Sequence, residues 1–415
     1  MIILSHPTAN QNVRQAALAL AEAELLEEFW TCVNWRQGGL LDRSLGAVGR
    51  LRNELRRRSF PAALTPYLRT FSWREWGRQF AGQAGWPGLT KDETGIFSVD
   101  AVYRSLDRRV ARRLAQPSRS RAVYAYDAGA LETFRAAKRH GLTCIYEHPI
   151  IYWRQVREFQ REEAALHPEW AGTLGALADS EEKLTRKDEE LALADLIITA
   201  SSFSKESLAL APGITAPVRV IPYGTDSLGQ GPAAKDPSGK LRVMFVGSLT
   251  QAKGLGYLLE AVDRLGHEIE FTLIGRRVNE AMPTAAMLAR HRWIPSLPHD
   301  ELLAEMSLHD VLVLPSLHEG FGLVMSEAMS RGLVVITTAH TAGPDLITDG
   351  VDGFIVPIRS ADAIEEKLAL LARERALRAA MQEAAVRRVA TLTWKNYRQA
   401  IVQVAREVME KAATP

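Results

Sequence analysis

The stretch HDVLVLPSLHEGFGLVMSEAMSRGLVVITT (residues 309–338) contains a complete strand, turn, helix and strand pattern. It starts with an apolar run, and its last part, 333–338, is rich in the β-branched residues typical of a strand. Between them lies a Gly-Phe-Gly break with a glutamate on either side, Glu319 and Glu327. The pattern predicts a strand, a glycine-containing turn and a helix that begins near Leu323.

The same alternation continues on both sides of this stretch. Further strand-like runs lie at 2–5, 121–126, 142–147, 194–200, 218–222, 241–248, 268–275 and 353–357. Segments of helical periodicity include 11–30, 129–140, 154–166 and 178–193. Alternating strands and helices are typical of parallel sheets with helices on both faces. Since 415 residues with 47% hydrophobic content suffice for two cores, we expect an α/β protein with two Rossmann-like domains.

The composition along the chain predicts where the domains meet. Residues 224–240 are dense in Gly, Pro, Ser and Asp, so we expect them to link a first domain (1–223) to a second one (241–393). Residues 394–415 have the pattern of one amphipathic helix, which we expect to pack back on the first domain. In 41–117 the strand signal disappears, which predicts a basic helical insertion.

The composition also argues against several classes of protein. The longest apolar runs are shorter than the about 18–20 residues of a membrane-spanning helix, and the start MIILSHPTAN lacks a basic flank and a cleavage site. We therefore expect a cytoplasmic protein. The two cysteines, Cys32 and Cys144, are far apart and are interpreted as buried thiols. No Asp-x-Asp, His-Glu-x-x-His or clustered Cys/His pattern occurs, so neither a metal nor another cofactor is expected.

The net charge of +2 is unevenly distributed. Residues 41–121 contain seventeen Arg and Lys against seven Asp and Glu, interleaved with Phe71, Trp73, Trp76 and Phe80. Such a segment can dock on an anionic membrane, here at its inner face, or can be an ordinary solvated surface over a local core. Nucleic acid is not expected as a partner, because the excess is local and no known binding module accompanies it.

The glutamate pair suggests recognition of a sugar nucleotide. Open α/β sheets bind ligands at the carboxyl ends of their strands, beside helix N-termini. Gly320 and Gly322 allow the backbone to approach a phosphate closely. The spacing places the carboxylates of Glu319 and Glu327 on the order of 8 Å apart, which suits two hydroxyl-bearing groups on either side of a diphosphate. Alternatively, the two glutamates only complement the helix dipole.

Further motifs accompany EGFGLVMSE (319–327). They are ADLIITASSFSKESL (194–208), IPYGTD (221–226), VGSLTQAKG (246–254) and GPDLITDGVDGFIVP (343–357). In this order they resemble the motifs of retaining GT-B glycosyltransferases of family four, which carry an E-x7-E element. The resemblance implies two domains facing across a cleft. It also implies transfer of a sugar, with retention, from a nucleoside diphosphate sugar to a glycan, lipid-linked or small-molecule acceptor, as in polysaccharide biosynthesis.

Two other functions remain open at this point. The same two-domain fold also carries sugar-nucleotide epimerases and phosphorylases, which fold alone does not separate from transferases. A non-catalytic protein that binds anionic surfaces through the arginine- and aromatic-rich segment is the third interpretation.

The resemblance implies a role for each residue of the donor site. Glu319 would contact the donor sugar at the catalytic centre, and Glu327 would hold the ribose hydroxyls. Lys253 would bind the diphosphate as a point charge. The backbone N–H groups that assist it would be those of Phe321, Gly322 and Leu323.

Three further positions follow from the same resemblance. Ile294 lies where the family lines the base pocket, mainly with backbone groups. The family often has an arginine at the position of Ser248, after the first strand of the second domain. Arg276 or Arg277 follows another strand end and could supply that charge, although an ordinary surface arginine is the commoner outcome.

The acceptor is implied to bind the first domain. Asn10 and Asn12 follow its first strand and either face the leaving diphosphate or cap the following helix. Glu147 and His148 follow another strand, near where the family often carries a histidine of the catalytic site. His148 could contact the sugar or move a proton near neutral pH, although a histidine in a turn is commonly structural.

Overall fold

Two parallel sheets organise the chain. The computed structural model describes residues 1–8, 10–35, 58–225, 239–278 and 288–411. The first sheet contains β1 (Ile2–Ser5), β2 (Leu26–Thr31), β3 (Leu68–Thr70), β4 (Ala122–Tyr126), β5 (Thr143–His148), β6 (Leu196–Thr199) and β7 (Val218–Val220). The second contains β8 (Leu241–Val246), β9 (Ile269–Ile274), β10 (Arg292–Ile294), β11 (Val311–Leu314), β12 (Val334–Thr338) and β13 (Gly353–Val356). Their orders are β3-β2-β1-β4-β5-β6-β7 and β10-β9-β8-β11-β12-β13.

Helices connect these strands. In the first domain they are α1 (Gln11–Glu22), α2 (Trp73–Gln83), α3 (Pro87–Thr90), α4 (Val99–Leu114), α5 (Leu131–Arg139), α6 (Trp153–Leu166), α7 (Glu181–Leu193) and α8 (Ser202–Ser207). In the second they are α9 (Leu255–Leu265), α10 (His299–Met306), α11 (Leu323–Ser330), α12 (Gly343–Leu346), α13 (Ala361–Arg373) and α14 (Arg375–Val389), followed by α15 (Trp394–Lys411). Two Rossmann-like domains were the expected fold class. In the described part of the chain, no helix is both long and apolar enough to cross a membrane.

The strand orders place the ligand-binding loops. In each sheet the direction of winding reverses beside the domain's first strand, between β1 and β4 in one and between β8 and β11 in the other. The loops that leave such a reversal point diverge and open a crevice at the carboxyl edge of the sheet. Lys253 follows β8 and Glu319 follows β11, so the fold brings both to the crevice of the second domain.

Two sequence-based expectations about secondary structure are wrong. The helical periodicity over 11–30 covers a helix that ends at Glu22 and then β2, because buried residues of a short strand can coincide with helical spacing. The segment 41–117 was expected to lack strands, yet β3 pairs in parallel with β2 at the sheet edge. Its three residues, LRT, include a single β-branched residue, whereas the equally short β7 lies in the β-branched run 218–222 and was predicted.

The chain crosses between the domains at two adjacent places. Thr225, at the start of the predicted linker, donates its N–H to the carbonyl of Leu392 (2.9 Å). A Cβ at Gly224 would lie 2.1 Å from the backbone nitrogen of Trp394, so only glycine permits this approach. From Trp394 onward α15 packs against α1 of the first domain. Most of the predicted linker, 226–238, lies outside the described residues.

A buried carboxylate of the first domain joins it to the second. Glu163, on α6, is fully buried. Its Oε1 accepts hydrogen bonds from Nε2 of Gln251 (2.7 Å) and the hydroxyl of Tyr257 (2.9 Å). Its Oε2 accepts from Nε of Arg359 (2.8 Å). All three donors belong to the second domain, so this side chain helps to fix how α6 sits on that domain.

We expect Glu163→Ala to loosen the contact between the domains, because three donors, one of them cationic, lose their acceptor. The free energy of unfolding should fall by about 3 kcal/mol, and the radius of gyration from small-angle X-ray scattering should rise. Glu162→Ala is the matched control, since it removes an exposed carboxylate that pairs with the same Arg359 and such pairs contribute at most about 1 kcal/mol. Equal stability and scattering for the two variants would contradict this role of Glu163.

Candidate active site

Lys253 and Glu319 meet at the carboxyl edge of the second sheet. Lys253 ends a short turn before α9, and Gly254 follows with φ +69°. A Cβ at Gly254 would lie 2.1 Å from the carbonyl oxygen of Pro315, so glycine lets the loops after β8 and β11 press together. Lys253 Nζ forms an ion pair with Oε2 of Glu319. Burial lowers the pKa of Lys253 to about 8.

The turn after Glu319 is held by the first domain. A Cβ at Gly320 would lie 2.0 Å from the carbonyl oxygen of Pro149, and the hydroxyl of Ser201 donates to the carbonyl of Gly320 (2.6 Å). Gly322 has φ +82° and precedes α11, which begins at Leu323 as predicted. The first-turn N–H groups of a helix lack intrahelical acceptors and therefore favour an anion there.

Phe321 has a different position from its neighbours in the turn. Its side chain is buried, with the ring centroid 5.2 Å from that of Tyr223. The ring therefore belongs to the core near the domain crossing, which leaves the backbone of this residue as its possible contact to a ligand.

Glu327 lies in the second turn of α11 beside a cavity of about 450 Å³ between the domains. The first domain contributes Gln11 and Arg14 of α1 to its walls. The second domain contributes mainly apolar side chains, namely Leu297, Leu302, Leu303 and Leu323. Nδ1 of His299 lies 3.9 Å from Oε1 of Glu327. An apolar cavity with few polar groups is typical of a small-molecule site.

The remaining donor-site candidates lie on neighbouring loops. Ser248 is exposed directly after β8, and the N–H of Leu249 donates to the carbonyl of Arg276 (3.0 Å). The exposed Arg276 therefore lies beside the position where the family often has an arginine. Ile294 ends β10, and its carbonyl accepts from the N–H of Gly275 (2.9 Å), so this backbone group already belongs to the sheet.

His148 lies at the end of β5 and is buried. Its ring stacks on that of Tyr146, with an interplanar angle of 17°. Nδ1 lies 3.5 Å from Oδ1 of Asp127, at the long limit of a hydrogen bond. Because the next residue, Pro149, touches Gly320, the histidine stands beside the Glu319 turn.

Asp127 was not predicted and is the first-domain anion closest to His148 in the described residues. It also contacts Nζ of Lys187 (3.4 Å) and accepts a hydrogen bond from the hydroxyl of Tyr146 (3.0 Å). Burial alone would raise the pKa of Asp127, but Lys187 and His148 outweigh it and hold the pKa below its usual value. Asp127 directly follows β4, so the rule that found His148, a polar residue after a strand end, could have found it too.

The side chains of the two asparagines after β1 make other contacts than the sequence analysis expected. Asn10 stands at the N-terminus of α1, but its side chain makes no capping bond and accepts instead from the hydroxyl of Thr8 (2.9 Å). Asn12 is buried and donates to Oε1 of Glu147 (3.0 Å) and to the hydroxyl of Tyr223 (3.1 Å). Neither asparagine acts as a side-chain cap.

Glu147 is the centre of a buried hydroxyl cluster. Tyr124 (2.5 Å), Tyr223 (3.0 Å) and Tyr397 (3.5 Å) all donate to its carboxylate, in addition to Asn12. Burial raises its pKa despite these donors. The cluster ties the first sheet to the crossing segment and to α15, so Glu147 has structural partners where an acceptor contact was expected.

Comparison with known families bears on the second domain. The model of the family Glycosyl transferases group 1 matches residues 232–388, which include Lys253, Glu319 and Glu327. Over these residues the chain is similar to that family.

Relatives of the glycosyl transferases group 1 domain are known in sequence and in structure. The amylovoran biosynthesis glycosyltransferase AmsK of Erwinia amylovora is 31% identical over 138 residues, 30% of this chain and 34% of the relative. The chain thus spans about a third of the length of the curated relatives it matches. Sucrose-phosphate synthase from Thermosynechococcus elongatus superimposes with a TM-score of 0.71 over 99% of both chains at 18% identity. Anabaena HepE in complex with UDP and glucose gives 0.61 at 14% identity over 100% of this chain and 99% of its own. At such identities the likeness establishes the shared GT-B fold.

We expect Asp127→Asn to change the tautomer of His148. A carboxylate beside Nδ1 keeps the proton there and leaves Nε2 as the acceptor, and an amide removes this bias. The ¹⁵N chemical shifts of the His148 ring should move from those of the Nδ1-protonated form toward a mixture of tautomers.

Two further variants separate this effect from general damage. Asp188→Asn changes another first-domain aspartate, which accepts from Tyr152 and Trp153, and should leave the His148 shifts unchanged. Asp127→Asn combined with Lys187→Met removes the lysine that would be left without its anion, and should regain stability but not the original tautomer. An Nδ1-protonated ring in all variants would contradict the role of Asp127.

Proposed function

We propose that the protein is a glycosyltransferase that moves a sugar from a nucleoside diphosphate sugar to an acceptor with retention of anomeric configuration. The observation that carries the proposal is the Lys253–Glu319 pair in the crevice of the second sheet, next to the cavity that Glu327 lines. A cation and a helix N-terminus suit the diphosphate of a sugar nucleotide, and the two carboxylates suit the hydroxyls of its sugar and its ribose.

The ion pair explains how a donor can be bound with little desolvation penalty. Lys253 and Glu319 neutralise each other in the structure. A bound donor would bring a diphosphate for Lys253 and sugar hydroxyls for Glu319, so each charged group would exchange one partner for another. When the bond from the anomeric carbon to the diphosphate breaks, the diphosphate takes the electron pair. Lys253 and the N-terminus of α11 are placed to stabilise that charge.

The sugar and the nucleoside would occupy opposite ends of the site. Glu327 and the leucine-lined cavity suit a ribose and a base, while Glu319 and His148 lie toward the first domain. We propose that the acceptor, a glycan, lipid-linked or small molecule, approaches from that side. Such an enzyme would work in the cytoplasm, where a lipid-linked acceptor would bring it to the membrane surface. HepE was solved with UDP and glucose, and AmsK is named for amylovoran biosynthesis, which supports a nucleotide sugar as partner.

We expect chelation of divalent metals with EDTA to leave transfer essentially unchanged, because Lys253 and helix N–H groups supply the charge that a metal would otherwise supply. Within the described ranges, no three His, Cys, Asp or Glu side chains are grouped so as to hold a metal ion. Turnover that disappears with EDTA and returns with Mg²⁺ or Mn²⁺ would contradict this proposal.

We expect the two glutamates to differ in what their loss affects. Glu327→Ala should weaken binding of the free nucleoside diphosphate as well as of the sugar nucleotide, by about 1.5–3 kcal/mol, because both contain the ribose. Glu319→Ala should spare diphosphate binding, or strengthen it because Lys253 is released from its ion pair, and should lower turnover, since the Glu319 contact to the sugar strengthens as positive charge develops at the anomeric carbon.

Calorimetry and turnover measurements separate these effects. The ligand is the nucleoside diphosphate, among UDP, GDP and ADP, that raises the melting temperature most; at a hundred times its dissociation constant it would add about 2.7 kcal/mol of stability. Glu319→Gln and Glu327→Gln keep the size of the side chains and test the charge alone. Equal loss of diphosphate binding in both variants would contradict the assignment of Glu319 to the sugar and Glu327 to the ribose. Epimerised or phosphorolysed sugar without transfer would favour the alternative enzymes.

A further inference from the structure

Helix α2 exposes its aromatic side to solvent. Trp73, Trp76 and Phe80 recur at helical spacing on one face of α2, and Trp86 follows in the next turn of chain. Their side chains are 40% to 64% exposed. We call these four residues the aromatic face. Phe71, which the sequence grouped with them, packs instead against the first-domain core.

The opposite side of α2 is polar and faces inward. Glu75 is buried there and accepts hydrogen bonds from Arg78 and Gln79, and it forms an ion pair with Arg58. Arg58 belongs to the basic segment 41–121, for which membrane docking and a solvated surface were both open, and its side chain is directed into the protein. A surface helix normally buries its apolar side. In α2 the internal ion pairs hold the helix in the reverse orientation.

The aromatic face is a packed surface. The rings of Phe80 and Trp86 meet edge to face with centroids 5.6 Å apart, and Trp73 meets Phe97 at 6.2 Å. The guanidinium of Arg74 lies 4.4 Å from the ring centroid of Trp73. These contacts hold the rings outward, so little ordering is required when a partner binds.

Exposed cations outnumber exposed acidic groups in the segments that carry and flank this face. Arg108, on α4, is exposed and close enough to Arg74 to lower the pKa of that guanidinium, after burial as the larger cause. Arg109, Arg112 and Lys91 are exposed as well. Of the acidic residues in this part of the chain, Glu75, Asp100 and Asp107 are buried, and Asp92 is exposed beside Lys91. The surface around the aromatic rings is therefore positively charged.

We propose that the aromatic face docks the first domain on an anionic phospholipid bilayer. The exposed aromatic rings of this surface suit insertion into the headgroup region. The cations near them suit contact with the lipid phosphates. A second copy of the same face would bring like charges together, which argues against a symmetric dimer through it. The proposal does not depend on the transfer activity.

Cosedimentation with vesicles tests the docking. The protein should bind vesicles that contain phosphatidylglycerol and bind pure phosphatidylcholine vesicles much more weakly. Phe80→Ser combined with Trp86→Ser should weaken binding to the anionic vesicles about tenfold, because less apolar surface enters the bilayer. Arg108→Gln combined with Arg112→Gln should reduce the dependence on anionic lipid and on salt.

Matched variants in the second domain serve as controls. Leu308 and Val351 are exposed to a similar degree, 55% and 54%, so Leu308→Ser with Val351→Ser should leave vesicle binding unchanged. Arg373→Gln, at another exposed arginine, should also leave it unchanged. All variants should keep the melting temperature, since the altered side chains are exposed.

Three results would overturn the proposal. The first is equal vesicle binding by the parent and both test variants. The second is a change in oligomeric state by light scattering in the aromatic variant, which would mean that another copy of the chain covers the face. The third is a single-stranded oligonucleotide that binds the same residues and displaces the vesicles, which would assign the face to nucleic acid.

Discussion

The site depends on close backbone contacts around the loop after β11. Two of them leave no room for a Cβ: Gly254 lies against the carbonyl of Pro315, and Gly320 against the carbonyl of Pro149. The first brings Lys253 to Glu319 within the second domain. The second brings the end of β5, with His148, to the same turn from the other domain. Any larger side chain at either glycine would separate groups that the proposed chemistry needs together.

Much of the fold follows from the sequence because its pattern is repeated and local. Strand, turn and helix recur with β-branched runs and glycine breaks, and α11 begins at Leu323 where the Gly-Phe-Gly turn places it. The three-residue strands β3 and β10 were not predicted, because pairing at a sheet edge, and not their own composition, makes them strands. The end of α1 was missed for a similar reason, since the tertiary position of β2 decides it.

The donor half of the candidate site was easier to predict than the acceptor half. Glu319 and Glu327 lie within one short motif, so their spacing along the chain already indicates their proximity, and the family resemblance added Lys253 from a second motif. Glu147 and Asn12 also follow strands, yet their partners are tyrosines as far along the chain as Tyr397. Asp127 and His148 come from different strands that happen to be neighbours in the sheet. Contacts between distant segments leave no trace in residue spacing, and these particular ones required the structure.

The two crossings between the domains touch each other, with Gly224 against Trp394 and Thr225 bonded to Leu392. The Glu147 cluster fixes Tyr223 and Tyr397 to the first sheet on one side of that point. Because both chain connections between the domains pass through one point, the domains can move as rigid bodies only by rotating about that point. Glu163, on α6, joins the domains through a separate set of contacts. Opening would then swing Lys253 and Glu319 away from His148 on an arc, and a product could leave without either domain deforming.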